Sequence, residues 1–320
     1  MRFAPALPCA GLAGLFAWLT GCSPTTTYRY SALTPAAHPL SWDGRIATEG
    51  RLRVEGTVTR DAVETNLFPV LHDTALHVPL ATVEGAATLA IARDVELGVR
   101  YSYASYAWSQ TSAVGTPPLP DHPSISGFGP EIRIAIPLDK RRRVTLGLGG
   151  NLMSYSTPYA EWQRCPCAPG SNVFVDTSGV GDNAAYGLIN QGSETHWATN
   201  LAIYPAVNLS DDGRAGHIFG GLSAHTAFKN DGFTNVDQSG STVESAGLLY
   251  FLTLGYGVEV APLRVSALVA LPLADAGSAV NYAVAGFLSI GLDIPLWEGQ
   301  DEKKRDAQRE SDGRENDGRD

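Results

Sequence analysis

Hydrophobic and polar residues alternate with a period of two along most of the chain beyond about residue 50. Val95, Leu97, Val99, Tyr101 and Tyr103 share one face of a stretch whose other face holds Glu96, Gly98, Arg100 and Ser102. Ile132, Ile134 and Ile136 alternate in the same way with Glu131, Arg133 and Ala135. Leu252, Leu254, Tyr256 and Val258 oppose Thr253, Gly255, Gly257 and Glu259, and the pattern continues through Val265, Val269, Leu288, Ile290, Leu292 and Ile294. A period of two marks strands, and no segment beyond residue 22 carries a helical apolar stripe. The chain therefore reads as all-β. About ten strands are predicted, near 50–60, 82–92, 95–106, 126–138, 142–156, 195–209, 215–228, 246–260, 263–273 and 281–297.

The connections carry as much information as the strands. Tight turns at 93–94, 139–141, 210–214 and 261–262 alternate with long segments at 61–81, 107–125, 157–194, 229–245 and 274–280. Short turns on one side and long loops on the other are the rhythm of an antiparallel up-and-down transmembrane β-barrel. Strands of this length suit a tilted span of about 9–11 residues better than the ~5–6 of a soluble sandwich. A lipid-anchored, water-soluble periplasmic β-domain that binds a ligand or a protein remains the alternative, because sandwiches alternate too.

Composition fits a membrane wall. Of 320 residues only 18% are charged, against roughly 25% in soluble domains, and 34 are glycine. The net charge of −10 offers no cationic footprint for nucleic acid. Met1 to Cys22 reads as a single Arg2, a short apolar run and Leu19-Thr20-Gly21-Cys22. That run is too short to span a membrane and has the form of a secretory signal peptide.

The four residues closing it resemble a bacterial lipobox. The resemblance implies removal of residues 1–21 and thioether-linked acyl chains on Cys22, an N-terminal lipid in place of any other cofactor. Ser23 follows the cysteine where an aspartate would favour the inner membrane, so the resemblance implies the outer membrane. Residues 22–48 contain Pro24, Pro35 and Pro39 and read as a flexible, lipid-anchored polar spacer. Residues 49–297 form the predicted barrel. Residues 298–320, with nine acidic and six basic side chains, read as a disordered solvated tail.

Over about residues 50–297 the chain resembles bacterial outer-membrane β-barrel proteins. Ala90-Ile91-Ala92-Arg93-Asp94-Val95-Glu96-Leu97-Gly98-Val99-Arg100-Tyr101 looks like their hairpins, and Ser289 to Trp297 is similar to their C-terminal assembly signal. Pro295 and the tail beyond Trp297 depart from that signal. The resemblance implies external loops, both termini in the periplasm, and contact with outer-membrane lipid and with the barrel-assembly and lipoprotein-sorting machineries. The function implied is structural, or transport of small solutes or lipids.

Candidate chemistry is sparse. Glu96, Arg100, Glu131, Arg133, Glu259 and Arg264 fall on the inward face, together with Arg51, Arg53, Glu55, Glu84 and Asp293. They read either as an ion-pair network filling a narrow lumen or as a charged pore lining. Ser223 and His225 share a face of one strand, with Asn200 expected opposite His225. A nucleophile, a base and an orienting amide are the parts of an acyl hydrolase. Outer-membrane phospholipases use a comparable set, although their flanking motifs are absent here. Cys165 and Cys167 read as a loop disulfide, with redox or soft-metal roles left open. No metal-site spacing and no nucleotide or hydrolase fingerprint occurs, so nothing in the sequence assigns an enzymatic reaction.

Overall fold

The computed structural model describes residues 28–64, 74–111, 118–119, 122–164, 173–175, 185–210, 215–226, 248–274 and 281–297. The barrel strands are β1 (Arg51–Glu64), β2 (Ala81–Ala92), β3 (Val95–Ser105), β4 (Ser124–Pro137) and β5 (Val144–Arg164). They continue with β6 (Ala185–Asn208), β7 (His217–Thr226), β8 (Leu248–Val260), β9 (Leu263–Ala274) and β10 (Asn281–Pro295). Each strand pairs antiparallel with the next, and β10 closes the ring on β1, with Asp293 opposite Arg53 and Leu292 opposite Val54. The fold is a closed, antiparallel, ten-stranded up-and-down barrel, not a sandwich.

The pleat divides each strand into two unlike faces. Outward, Val54, Leu97, Ile132, Leu201, Leu222, Leu254, Val269 and Ile290 are exposed, and every barrel strand adds large apolar side chains. Inward, Arg53, Glu96, Arg100, Glu131, Arg133 and Arg264 are buried. A water-soluble barrel distributes these residues the other way round, whereas lipid in place of water demands this arrangement. Exposed aromatic rings lie toward both rims: Tyr101, Trp108 and Trp197 on the long-loop side, Tyr256 and Trp297 on the short-turn side.

The structure departs from the sequence reading in two places. β5 and β6 run well beyond the wall, remaining paired from Thr157 opposite Glu194 to Arg164 opposite Tyr186. Much of the segment expected as a loop at 157–194 is therefore a projecting hairpin. Its inner side packs Tyr155, Trp162 and Tyr186 against Leu33, Leu119 and Ile125. Short strands Tyr28–Leu33, Thr74–Pro79 and Ser109–Thr111 extend the sheet beside it.

The second departure concerns the polar spacer. Residues 31–43 are buried except for Thr34, and only Thr48 in the stretch to 48 is fully exposed. Tyr28–Leu33 pairs antiparallel with the top of β5, Ala32 opposite Tyr159 and Tyr28 opposite Gln163. The chain then descends through the lumen and meets the short-turn rim at Gly50, whose amide donates to Ala90 O at 2.9 Å. Leu296 N–H returns a bond to Gly50 O, also at 2.9 Å. This part of the predicted spacer is a plug, because the wall supplies partners for it at every level. The described chain thus begins at the long-loop rim and ends at the opposite one, where a shared rim was expected. The lipobox with Cys22, the pair Cys165 and Cys167, and the charged tail lie outside the described residues.

Candidate functional site

Among the described residues polar chemistry is concentrated in the lumen, and two clusters of charge build it. The first centres on Arg133, on β4. Its Nε lies 2.6 Å from Glu131, its Nη2 2.6 Å from Glu55, and its Nη1 3.6 Å from Glu96. Arg100, on β3, bonds Glu131 through Nε at 2.6 Å and Glu84 through Nη1 at 2.6 Å. Arg53, on β1, lies 3.2 Å from Glu96 and donates to Asp293 at 2.9 Å. Side chains from five strands are thereby joined across the interior. Alternation explains the geometry: each of these residues sits two or four positions from another inward residue, so neighbouring strands stack their charges at the same level.

The second cluster lies toward the short-turn rim. Arg264, on β9, bonds Glu259 at 2.7 Å and Asp43 of the plug at 2.8 Å. His217 Nε2 lies 3.2 Å from Oδ2 of the same carboxylate, the oxygen that also accepts from Arg264. All six residues singled out for the lumen therefore make ion pairs, Glu259 being the one that remains largely exposed.

The plug is read by the wall through its backbone as well as its side chains. Asn200 Nδ2 donates to His38 O at 2.8 Å, and Tyr204 OH donates to Leu40 O at 3.1 Å. Ser41 Oγ donates to Glu84 at 2.8 Å, and Arg53 Nη1 donates to Arg45 O at 2.8 Å. The Ala47 amide donates to Glu96. Trp42 lies beneath the Arg133 guanidinium, 5.8 Å from ring centre to Cζ. Two glycines of β5 leave the room it needs: a Cβ on Gly149 would stand 2.6 Å from Leu40, and one on Gly147 2.8 Å from the Gly44 backbone. Gly44 itself has φ +74° and presses on Tyr204 O, a position where a side chain is strained. Leu40, Trp42 and Asp43 were not legible as functional residues. An isolated Trp among prolines was the single hint.

The acyl-transfer candidates are brought together only in part. Asn200 faces His225 in register, and Ser223 Oγ donates to Asn200 Oδ1 at 3.3 Å. Neither ring nitrogen of His225 has a hydrogen-bond partner, and its ring stacks on His38 of the plug at 6.3 Å. Activation needs the serine hydroxyl to donate to the base. Here it donates to the amide. All three side chains are also buried beneath the plug, away from any bulk substrate. Purified wild type and Ser223→Ala should therefore release fatty acid from phospholipid vesicles at the same background rate. A serine-dependent rate above background would reverse that assignment.

Among the described residues no cluster of three His, Cys, Asp or Glu side chains is arranged to hold a metal ion. No family model matches the chain, and no curated protein matches it. Solved structures do show likeness. An outer membrane channel from Pseudomonas putida F1 aligns at 9% identity and a TM-score of 0.38, covering 81% of this chain and all of that one. The outer membrane protease OmpT of Escherichia coli aligns at 12% identity and a TM-score of 0.33, over 85% of this chain and 97% of that one. The NanC porin aligns at 8% identity and a TM-score of 0.29, over 76% and 98%. At such scores none of them assigns a role to a residue of this chain.

Proposed function

We propose that this protein is a lipid-anchored bacterial outer-membrane β-barrel of the channel type, held shut at rest by its own N-terminal segment. The observation that carries the reading is residues 31–47 filling a lumen whose outer wall is apolar. A barrel of ten strands has a narrow bore, and a single extended segment is enough to occlude it. Passage of a small solute then requires the plug to move. In this reading the short turns face the periplasm and the β5–β6 hairpin projects from the cell surface. β10 serves as the strand read by the barrel-assembly machinery, and Cys22 as the residue read by lipoprotein sorting.

The test uses the intact chain folded in detergent. An unboiled sample should migrate faster than a boiled one on an SDS gel, and should insert in planar bilayers without conductance. Identical migration, together with release from membranes on delipidation alone, would favour the soluble β-domain. Steady open-channel current from the wild type would remove the plug from its proposed role.

A further inference from the structure

We propose that the lumen holds a site for a flat organic cation, an aromatic ring bearing positive charge, which His38 of the plug occupies at rest. The proposal rests on the channel reading above and adds the class of solute to it. Two unlike sides of the lumen face each other across the plug. On β1 to β4 the inward side is charged, with Glu84, Glu96, Arg100 and Arg133 buried. On β7 to β10, Phe219, Leu249, Phe251, Leu268 and Phe287 belong to one buried apolar cluster. The ladders place them together, since Leu268 stands opposite Phe287 and Leu249 opposite His225. A solute charged all round gains nothing from the apolar side, and one apolar all round cannot satisfy the charged side. A flat body with a cationic edge matches both.

His38 has that form and bridges the two sides. Its ring lies edge-on to Phe287, with centroids 5.6 Å apart, and stacks on His225 at 6.3 Å. Nε2 lies 3.1 Å from Glu84 Oε1, and Nδ1 lies 3.1 Å from Pro39 O. Both oxygens only accept, and an imidazolium, with a donor at each nitrogen, satisfies them together. Arg100 and Ser41 engage the other oxygen, Oε2, and so fix the carboxylate from behind. A carboxylate beside aromatic rings, out of water, is how proteins hold such cations. His225 supplies an independent sign of a binding site. It is 3% exposed, and neither of its ring nitrogens has a hydrogen-bond partner. A buried imidazole left so costs free energy, and a ligand larger than the His38 ring can pair with it. Glu84, Phe287 and His225 stand on β2, β10 and β7, so all three stay on the wall when the plug moves.

The test uses the full chain carrying His38→Ala, which removes the ring and keeps the rest of the plug. Imidazole at about pH 6, where the ring is largely protonated, should raise the urea midpoint for loss of the fast-migrating unboiled form. Benzylammonium should do the same, and both shifts should grow with ligand concentration as mass action requires. Butylammonium, of equal charge but without a ring, should need at least about tenfold more for the same shift. Wild type, whose own ring fills the place, should not move. No shift with either ring cation, or equal potency of butylammonium and benzylammonium, would overturn the proposal. Should His38→Ala lack the fast-migrating form, current through Gly147→Val/Gly149→Val decides. Benzylammonium should block it at about tenfold lower concentration than butylammonium, and Phe287→Leu should abolish the difference. Equal block by the two, or a difference untouched by Phe287→Leu, would sink the site. Failure of the channel reading looks different: mobility would not change on boiling, or the wild type would carry steady current.

Discussion

Replacing Arg133 with alanine is expected to destabilise the barrel by about 3–5 kcal/mol, the range for removing one partner of a buried ion pair. The guanidinium is fully buried and lies against Glu131, Glu55 and Glu96 at once. Its loss leaves three carboxylates facing one another, with Arg100 and Arg53 as the neighbouring cations. It also uncovers Trp42, so the plug loses a contact together with the wall. The Arg142–Asp94 pair gives the contrast. Its side chains are 35% and 39% exposed, and breaking an exposed pair costs about 0.2–1 kcal/mol. The urea midpoint for loss of the fast-migrating unboiled form measures both. Equal midpoints for Arg133→Ala and Arg142→Ala would show that the buried network does not hold the wall together.

Valine at both Gly147 and Gly149 is expected to expel the plug and open the lumen. The new side chains would stand where Leu40, Trp42 and the Gly44 backbone now lie, at separations that no Cβ tolerates. The wall has no comparable reason to yield, since its strands keep their ladders with β4 and β6. Single-channel steps should then appear where the wild type is silent. Wall carboxylates (Glu55, Glu84, Glu96, Glu131, Glu259 and Asp293) outnumber the guanidiniums of Arg53, Arg100, Arg133 and Arg264. An opened lumen should accordingly prefer cations, read as a reversal potential in a salt gradient. Gly286→Ala is the control, because nothing lies within 4 Å of the added carbon and the channel should stay silent. A heat-modifiable but silent Gly147→Val/Gly149→Val chain would mean that the two glycines do not form the slot.

Strand identity was written in the alternation of residues such as Val95 to Tyr103. A strand shows successive side chains to opposite faces, and a wall between lipid and lumen needs those faces to differ. Low charge and abundant glycine follow from the same requirement. The inward position of Glu96, Arg100, Glu131 and Arg133 was legible for this reason. Their pairing was not, since it depends on which strands adjoin and at what register. The projecting ends of β5 and β6 were hidden because Thr157, Pro158, Glu194 and their neighbours carry no apolar stripe. Those ends are held by contacts with Leu33 and Leu119, far away in sequence.

The plug shows where local information ends. Residues 31–47 have no period, two prolines and few charges, the composition of a linker. By itself the sequence determined a ten-stranded barrel with short turns at one rim and long connections at the other. Only the tertiary structure decided that the lumen is filled, and by which residues. Burial of Asp43 depends on Arg264, that of Ser41 on Glu84, and that of Leu40 and Trp42 on the absence of side chains at Gly147 and Gly149. Each of those partners lies more than forty residues along the chain, and none exists for the segment until the barrel has closed around it.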